Sequence, residues 1–123
     1  MTAVYRFDEM EWHVPVAQGT DPAEAAEAGR KGTRRRFLAQ GDSGFYAQVV
    51  EMPPGFEAPV HSHDHAEVFM VLEGSCNFDG EEMRRYDMTV VPEGGAYGFT
   101  AGPEGVLFLV VRNGVASFAK VAS

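Results

Sequence analysis

Three of the four histidines in this 123-residue chain lie within five positions, in the stretch HSHDHAE from His61 to Glu67. In a β-strand alternate side chains share a face, so His61 and His63 can point the same way, about 7 Å apart along the backbone. If the chain then turns and returns, Glu67 begins the next strand close to both histidines. Two imidazoles and one carboxylate form a metal-ligand set that leaves coordination positions open for substrate or oxygen.

The elements that would position these residues are short strands. From residue 33 onward, apolar runs alternate with clusters of Gly, Pro, Asp and Asn, and no long segment has a 3.6-residue period, which is typical of an all-β sandwich or barrel. The dipeptide Asn113-Gly114 predicts a two-residue hairpin between the last two strands. The predicted strands are 34–40, 44–52, 67–73, 75–79, 88–91, 96–100, 106–112 and 115–121.

The chain divides into a predicted N-terminal extension, residues 1–33, and a barrel, residues 34–123. Within the extension, the segment DPAEAAEAG contains Asp21, which can cap a helix, and Glu24, which completes a capping box. We therefore predict a helix of two turns there, acting as a connector.

Composition limits the function classes. A chain of 123 residues with 45% hydrophobic and 23% charged residues is expected to form one globular domain. Its apolar runs are too short for a membrane helix, and its N-terminus lacks the features of a signal peptide, so a cytoplasmic location is expected. The single cysteine excludes an internal disulfide, and the formal net charge of -8 argues against nucleic-acid binding.

One basic cluster departs from this acidic background. Arg30, Lys31, Arg34, Arg35 and Arg36 place five basic groups within seven residues. A solvated loop and strand edge is the simplest interpretation, and an anion-binding role is the alternative, because guanidinium groups clamp carboxylates and phosphates. The last three alternate in direction along their strand, so at least one should face the barrel interior. Parity alone does not identify which one.

The stretch GFEAPVHSHDHAEVFMVLEG resembles the first signature motif of the cupin superfamily. The motif's fixed positions are filled at the family's spacing by Gly55, His61, His63, Glu67 and Gly74. The second motif is degenerate. Pro92 and Gly94 agree with it, whereas Tyr86 replaces a glycine, Tyr97 replaces the usual fourth ligand and Ala101 replaces an asparagine.

The resemblance implies a double-stranded β-helix, a jelly-roll-like barrel with its ligands inside the wider mouth. It also implies that His61, His63 and Glu67 bind a divalent transition metal, which could be Fe, Mn, Ni, Zn or Cu, and that the chain forms a homodimer. On the same resemblance, His65 lies in the turn between ligands and has a supporting or exposed role.

Tyr97 is the candidate catalytic residue, because it occupies the slot of the fourth ligand and should point into the cavity. Three roles are open to its phenol. It could bind the metal as phenolate, donate a hydrogen bond to substrate or act as general acid or base, or pack as an aromatic wall. Tyr46 and Gln48 share one face of their strand and could either support the site or act in cross-strand packing.

The leading functional hypothesis is an oxygenase acting on an enolisable or carboxylate-bearing small molecule. Two neutral imidazoles and one carboxylate around a divalent ion leave about +1, which favours an anionic oxygen ligand. The alternatives are a metal-dependent isomerase, lyase or decarboxylase, and a non-catalytic cupin that binds a small ligand. Cupins carry out all of these chemistries, so the fold does not choose among them.

Overall fold

The computed structural model describes residues 2–13, 23, 32–114 and 119–120. Within these residues all strand pairing is antiparallel and joins the strands into a single sheet, in which β7 pairs with β2, β3 and β4. The sheet closes into the all-β barrel predicted from the sequence. The strands are β1 Arg34–Asp42, β2 Phe45–Met52, β3 Glu57–Ser62, β4 Glu67–Phe78, β5 Glu81–Arg84, β6 Met88–Val91, β7 Tyr97–Arg112 and β8 Ala119–Lys120.

The two longest strands, β4 and β7, pair along their whole length and bend together. Their pairing starts at Glu67 opposite Arg112, shifts register twice near Gly74 and resumes as far as Phe78. Gly74 has a φ of 73°, and a Cβ there would collide with the carbonyl oxygen of Gly105. A glycine is therefore required where the two bends touch. The sequence predicted two separate strands on each side, but cross-strand pairing continues through the bend.

The barrel interior contains a cluster of aromatic rings. Phe69 is fully buried and lies 5.1 Å from Phe78, 5.4 Å from Phe99 and 4.4 Å from Phe108, measured between ring centroids. Each ring projects inward from β4 or β7. Alternate positions share a face on either side of the bend, and the irregular pairing near Gly74 changes the parity, so both ends of each strand point rings inward. These contacts form the apolar part of the core, which packs the two bent strands together.

The described part of the extension packs on the outside of β1. The chain forms a single 3-10 turn at Phe7–Glu9, and the guanidinium of Arg36 lies 4.4 Å from the Phe7 ring and 4.2 Å from the Trp12 ring. The helix predicted over residues 21–29 lies outside the described residues apart from Ala23. Among the residues that are described, no helix is long and apolar enough to cross a membrane.

Three strand predictions need correction. The hairpin at Asn113-Gly114 is wrong, because β2 and β4 already occupy both edges of β7 up to Arg112, and the described part of β8 pairs with β3 instead. Strands β3 and β5 were missed. The sequence of β5, EEMR, is mostly polar and has only one buried residue, Met83, so its alternation is weak.

Tyr86 adopts a backbone conformation that suits glycine. Its φ is 72°, in the left-handed region, and its side chain is exposed. This is the position at which the second cupin motif has a glycine, and a left-handed φ is one that glycine adopts without strain. Left-handed backbone costs a non-glycine residue about 1 kcal/mol or more.

Candidate functional site

Strand β3 carries His61 into the barrel, directly opposite Tyr97 of β7. The imidazole is buried, and its Nδ1 lies 2.7 Å from the carbonyl oxygen of Pro59. Because a carbonyl oxygen only accepts, the neutral ring carries its proton on Nδ1 and its lone pair on Nε2. Burial lowers the pKa of His61, against the smaller raising effect of the Pro59 carbonyl, which favours the neutral imidazole.

His63 lies just beyond the end of β3 and is also buried. Its ring centroid is 5.0 Å from that of His61, and the two planes are almost perpendicular at 82°. The backbone carbonyl of His63 accepts a hydrogen bond of 2.9 Å from the amide of Gly94. This bond attaches the turn of the degenerate second motif to the histidine pair, so the two cupin motifs meet at this point.

Glu67 begins β4 and is 2% exposed, although it is a carboxylate. Its Oε2 accepts a hydrogen bond of 2.7 Å from Arg112 Nε, and its Oε1 accepts a short hydrogen bond from the Tyr97 hydroxyl. Both oxygens therefore have donors, and the negative charge is balanced by a buried guanidinium. A buried carboxylate is tolerated only with such compensation.

Tyr97 connects the histidines, Glu67 and the aromatic core. Its ring lies 4.5 Å from the His61 ring and stacks on Phe78 at 4.9 Å with an interplanar angle of 17°. Burial raises the pKa of the phenol far above its ordinary value, and the charge and hydrogen bond of Glu67 raise it further. Hydrogen bonding and aromatic packing are thus both present, and the raised pKa disfavours the phenolate form needed for ligation.

Arg112 is the residue of this cluster that the sequence analysis missed. Residues 106–111 are apolar at every position, so the sequence has no alternation that would place Arg112 inside. The burial pattern of β7 shows that it shares the inner face with Phe108 and Val110. Its importance depends on the pairing of β7 with β4, which places it opposite Glu67. Its charge also changes the electrostatic balance, since a divalent ion beside two imidazoles and the Glu67–Arg112 pair would leave about +2 rather than +1.

A second group of buried polar side chains extends the site along β1 and β2. Arg35 is 8% exposed, and its Nη1 donates a hydrogen bond of 2.9 Å to Oε1 of Gln48, which is also buried. Arg34 and Arg36 point outward, where both lie against Trp12. The structure therefore identifies Arg35 as the arginine that faces the interior, which parity alone could not decide.

His65 lies at the edge of the site. Its side chain is 36% exposed, its Nε2 is 3.6 Å from the Asp64 carboxylate, and its ring packs against the backbone of Gly114. These surroundings agree with the expected supporting or exposed role.

The site suits a divalent transition metal in the chemistry of its donors. The Nε2 atom of His61 carries the lone pair of the ring, and the His63 ring lies beside it. Glu67 is a carboxylate whose charge is balanced by Arg112. Residues that hydrogen-bond to a metal ligand commonly orient it in this way. Over residues 2–13, 23, 32–114 and 119–120, no group of three or more His, Cys, Asp or Glu side chains is placed so that it could hold a metal ion. Glu67 Oε1 instead accepts from Tyr97, so metal binding there requires that hydrogen bond to be exchanged.

Comparison with known proteins identifies the family and the fold. The model of the cupin domain family matches residues 48–111. No curated protein matches the sequence. Among solved structures, the polyketide cyclase RemF from Streptomyces resistomycificus is 24% identical, with a TM-score of 0.75, over 100% of this chain and 87% of that one.

Two further solved structures share the fold at lower identity. KdgF from Halomonas sp. is 20% identical with a TM-score of 0.64, over 92% of this chain and 94% of that one. The DMSP lyase DddQ from Ruegeria pomeroyi DSS-3 is 21% identical with a TM-score of 0.65, over 85% of this chain and 56% of that one. At these identities the likeness establishes the fold alone.

Proposed function

Since the chain belongs to the cupin family, whose domain model matches residues 48–111, we propose that it is a metal-dependent enzyme acting on a small enolisable or carboxylate-bearing molecule. The observation that carries this proposal is the group of buried polar side chains inside an otherwise apolar barrel. Burying such groups is unfavourable for folding, and proteins tolerate this chiefly at functional sites. The group consists of Arg35, Gln48, His61, His63, Glu67 and Arg112.

In this proposal His61, His63 and Glu67 hold the metal, whose identity among Fe, Mn, Ni, Zn and Cu is left to measurement. When bound, such an ion polarises a carbonyl or enolate oxygen. Arg112 keeps Glu67 charged and oriented through the bond to Oε2. Exchange of the other Glu67 oxygen would release the Tyr97 hydroxyl, which can then donate its hydrogen bond to a substrate oxygen. Tyr97 is thereby the catalytic candidate.

The reaction class that we favour is proton transfer next to a carbonyl, leading to elimination, isomerisation or cyclisation. A phenol beside two imidazoles supplies donors and acceptors for such transfers. Structures of similar fold include a polyketide cyclase and a DMSP lyase. The second candidate is an oxygenase, as predicted from the sequence, because two histidines and one carboxylate are also the ligand set of non-haem iron oxygenases.

One assay separates these candidates. We expect the protein, in D₂O, to catalyse exchange of the α-protons of pyruvate, acetoacetate or acetylacetone, followed by proton NMR. Exchange should be lost in Glu67→Gln and retained in Arg34→Gln, an outward-facing control. Oxygen consumption with the same panel would instead favour the oxygenase. If neither exchange nor oxygen uptake exceeds the Glu67→Gln background with any panel member, the enzymatic proposal fails and a non-catalytic ligand-binding cupin is favoured.

We also propose that the chain forms a homodimer through the outer face of β4, β6 and β7. Met88 and Val90 are 48% and 62% exposed on this face, which isologous pairing with a second copy would cover. Sedimentation velocity should show a dimer that Val90→Glu dissociates and the control Val4→Glu leaves intact, whereas a wild-type monomer at all concentrations would contradict it. The face comprises Val68, Met70, Met88, Val90, Leu109 and Val111.

The cytoplasmic location stays a prediction.

A further inference from the structure

Arg35 differs from its two neighbours in burial. Arg34 forms an ion pair with Glu51 at 2.5 Å at the surface, and Arg36 lies under Trp12 on the outside of β1. Arg35 is 8% exposed and lies opposite Val50, on the face of the sheet that contributes to the core. One guanidinium of the basic cluster is therefore inside the barrel.

The hydrogen bonds of Arg35 are incomplete. Its Nη1 donates to Gln48 Oε1 at 2.9 Å, while its buried Nε finds no acceptor among the described residues. No carboxylate of the described residues forms an ion pair with it, whereas the other guanidinium in the interior, Arg112, is paired with Glu67. A guanidinium has five N–H donors in a planar fork that matches a carboxylate, so the Nε–H of Arg35, unpaired among the described residues, is one edge on which a carboxylate could bind.

Leaving this cation unpaired is unfavourable for folding. Burial, and to a lesser extent repulsion from Arg112, lower the pKa of Arg35 to about 10, so the group remains protonated at neutral pH. A buried charge without a counter-charge destabilises the folded state much more than the same charge at the surface. A ligand that supplied the missing negative charge would recover this cost on binding.

We propose that Arg35 is the carboxylate-binding residue of the barrel, and that Gln48 positions its guanidinium to hold the carboxylate of a small organic anion. Gln48, which accepts from Arg35, lies two positions along β2 from Tyr46, the partner of Arg112 on β7, so the two arginines share one face of the sheet. Because Arg112 bonds to Glu67, the carboxylate end of the ligand is directed toward one side of the His61–His63–Glu67 cluster. The assignment rests on the proposed function in making the barrel interior the place where substrate is held. It names the substrate class more closely, as a carboxylate rather than a neutral enolisable carbonyl.

The test measures anion binding directly, without turnover. Pyruvate is titrated into the full chain by calorimetry, as purified and again after chelator treatment, beside the neutral analogue methyl pyruvate and inorganic phosphate at equal ionic strength. We expect pyruvate to bind in both preparations and to raise the melting temperature, with the two controls binding at least tenfold more weakly. Equal binding of methyl pyruvate or of phosphate would overturn the assignment of a carboxylate site.

Variants then identify the residue. Arg35→Gln should weaken pyruvate binding at least tenfold, Arg35→Lys should restore part of it, and Arg34→Gln should bind as the parent does. Gln48→Glu is the sharpest variant, because it places a carboxylate where Gln48 Oε1 now accepts from Arg35. It should abolish pyruvate binding while raising the melting temperature of the ligand-free protein. Parental affinity in both Arg35→Gln and Gln48→Glu would overturn the proposal.

Metal content, measured on the same samples, separates this inference from the proposed function. Arg35→Gln is expected to keep the parental metal content, since Arg35 is not among the proposed ligands. Pyruvate binding that depends on Arg35, in a parent protein that carries no metal as purified and takes up none on incubation with the ions, would sustain the carboxylate site and reject the metal-dependent enzyme. Stoichiometric metal, together with pyruvate binding that is unchanged in Arg35→Gln, would reject the carboxylate site and leave the metal-dependent enzyme standing.

Discussion

The interior of the barrel has two unlike halves built on the same strands. In one half Phe69, Phe78, Phe99 and Phe108 pack ring against ring. In the other half lie buried histidines, a carboxylate and two guanidinium groups. Tyr97 belongs to both, because its ring stacks on Phe78 while its hydroxyl bonds to Glu67. Packing in the aromatic half stabilises the fold, whereas burying charged groups in the polar half destabilises it. The first effect offsets the second.

The largest effect is expected in the aromatic half. Phe69→Ala should lower the free energy of unfolding by about 4 kcal/mol, because it removes a fully buried ring and leaves a cavity among three others. Urea unfolding monitored by circular dichroism measures the change. The control Phe45→Ala, at a ring that is 53% exposed, should alter stability by less than about 0.5 kcal/mol. Equal losses in both variants would remove the distinction between core and surface on which the comparison depends.

The next effect concerns the ion pair of the polar half. Arg112→Met should cost about 3 kcal/mol, because it leaves the Glu67 carboxylate buried without its cation. The double variant Arg112→Met with Glu67→Met should regain much of this loss, since both charges are then gone. Unfolding of the two single variants and the double variant forms a cycle that isolates the coupling. Additive losses would mean that the two side chains do not depend on each other.

A smaller effect is expected at the boundary between the halves. Tyr97→Phe keeps the ring on Phe78 but removes the donor to Glu67, and should cost the metal-free protein about 1 to 2 kcal/mol. A divalent ion at Glu67 no longer competes with that hydroxyl, so the stabilisation on adding metal should be larger in the variant. Melting temperatures with and without Zn²⁺ or Mn²⁺ provide the readout. Smaller stabilisation by metal than in the parent would contradict the proposed exchange at Oε1.

The smallest effect is expected outside the barrel. Arg34→Ala removes an ion pair with Glu51 whose side chains are 46% and 40% exposed, and should change stability by less than about 1 kcal/mol. Chemical unfolding of Arg34→Ala and Arg112→Met tests whether burial of the ion pair determines the loss in free energy of unfolding. An equally large loss in the two variants would show that burial does not determine it.

The sequence predicted the barrel and the placement of His61, His63 and Tyr97 because these depend on local alternation and on motif spacing. It did not predict the Glu67–Arg112 pair, since the two residues are 45 positions apart and meet only through the register of β4 with β7. The choice of Arg35 as the inward arginine likewise required the register of β1 with β2, which places it opposite Val50. The wrong hairpin at Asn113-Gly114 has the same origin, because a local turn signal carries no information about which strand edges are already occupied.

We propose that His61, His63 and Glu67 hold a metal ion. Elemental analysis of protein purified without an affinity tag tests this proposal. We expect near-stoichiometric transition metal in the parent and in His65→Ala, and loss of that metal in His61→Ala and Glu67→Ala. A parent protein without metal, even after incubation with the ions and gel filtration, or a protein that loses its metal in His65→Ala but keeps it in Glu67→Ala, would contradict the account.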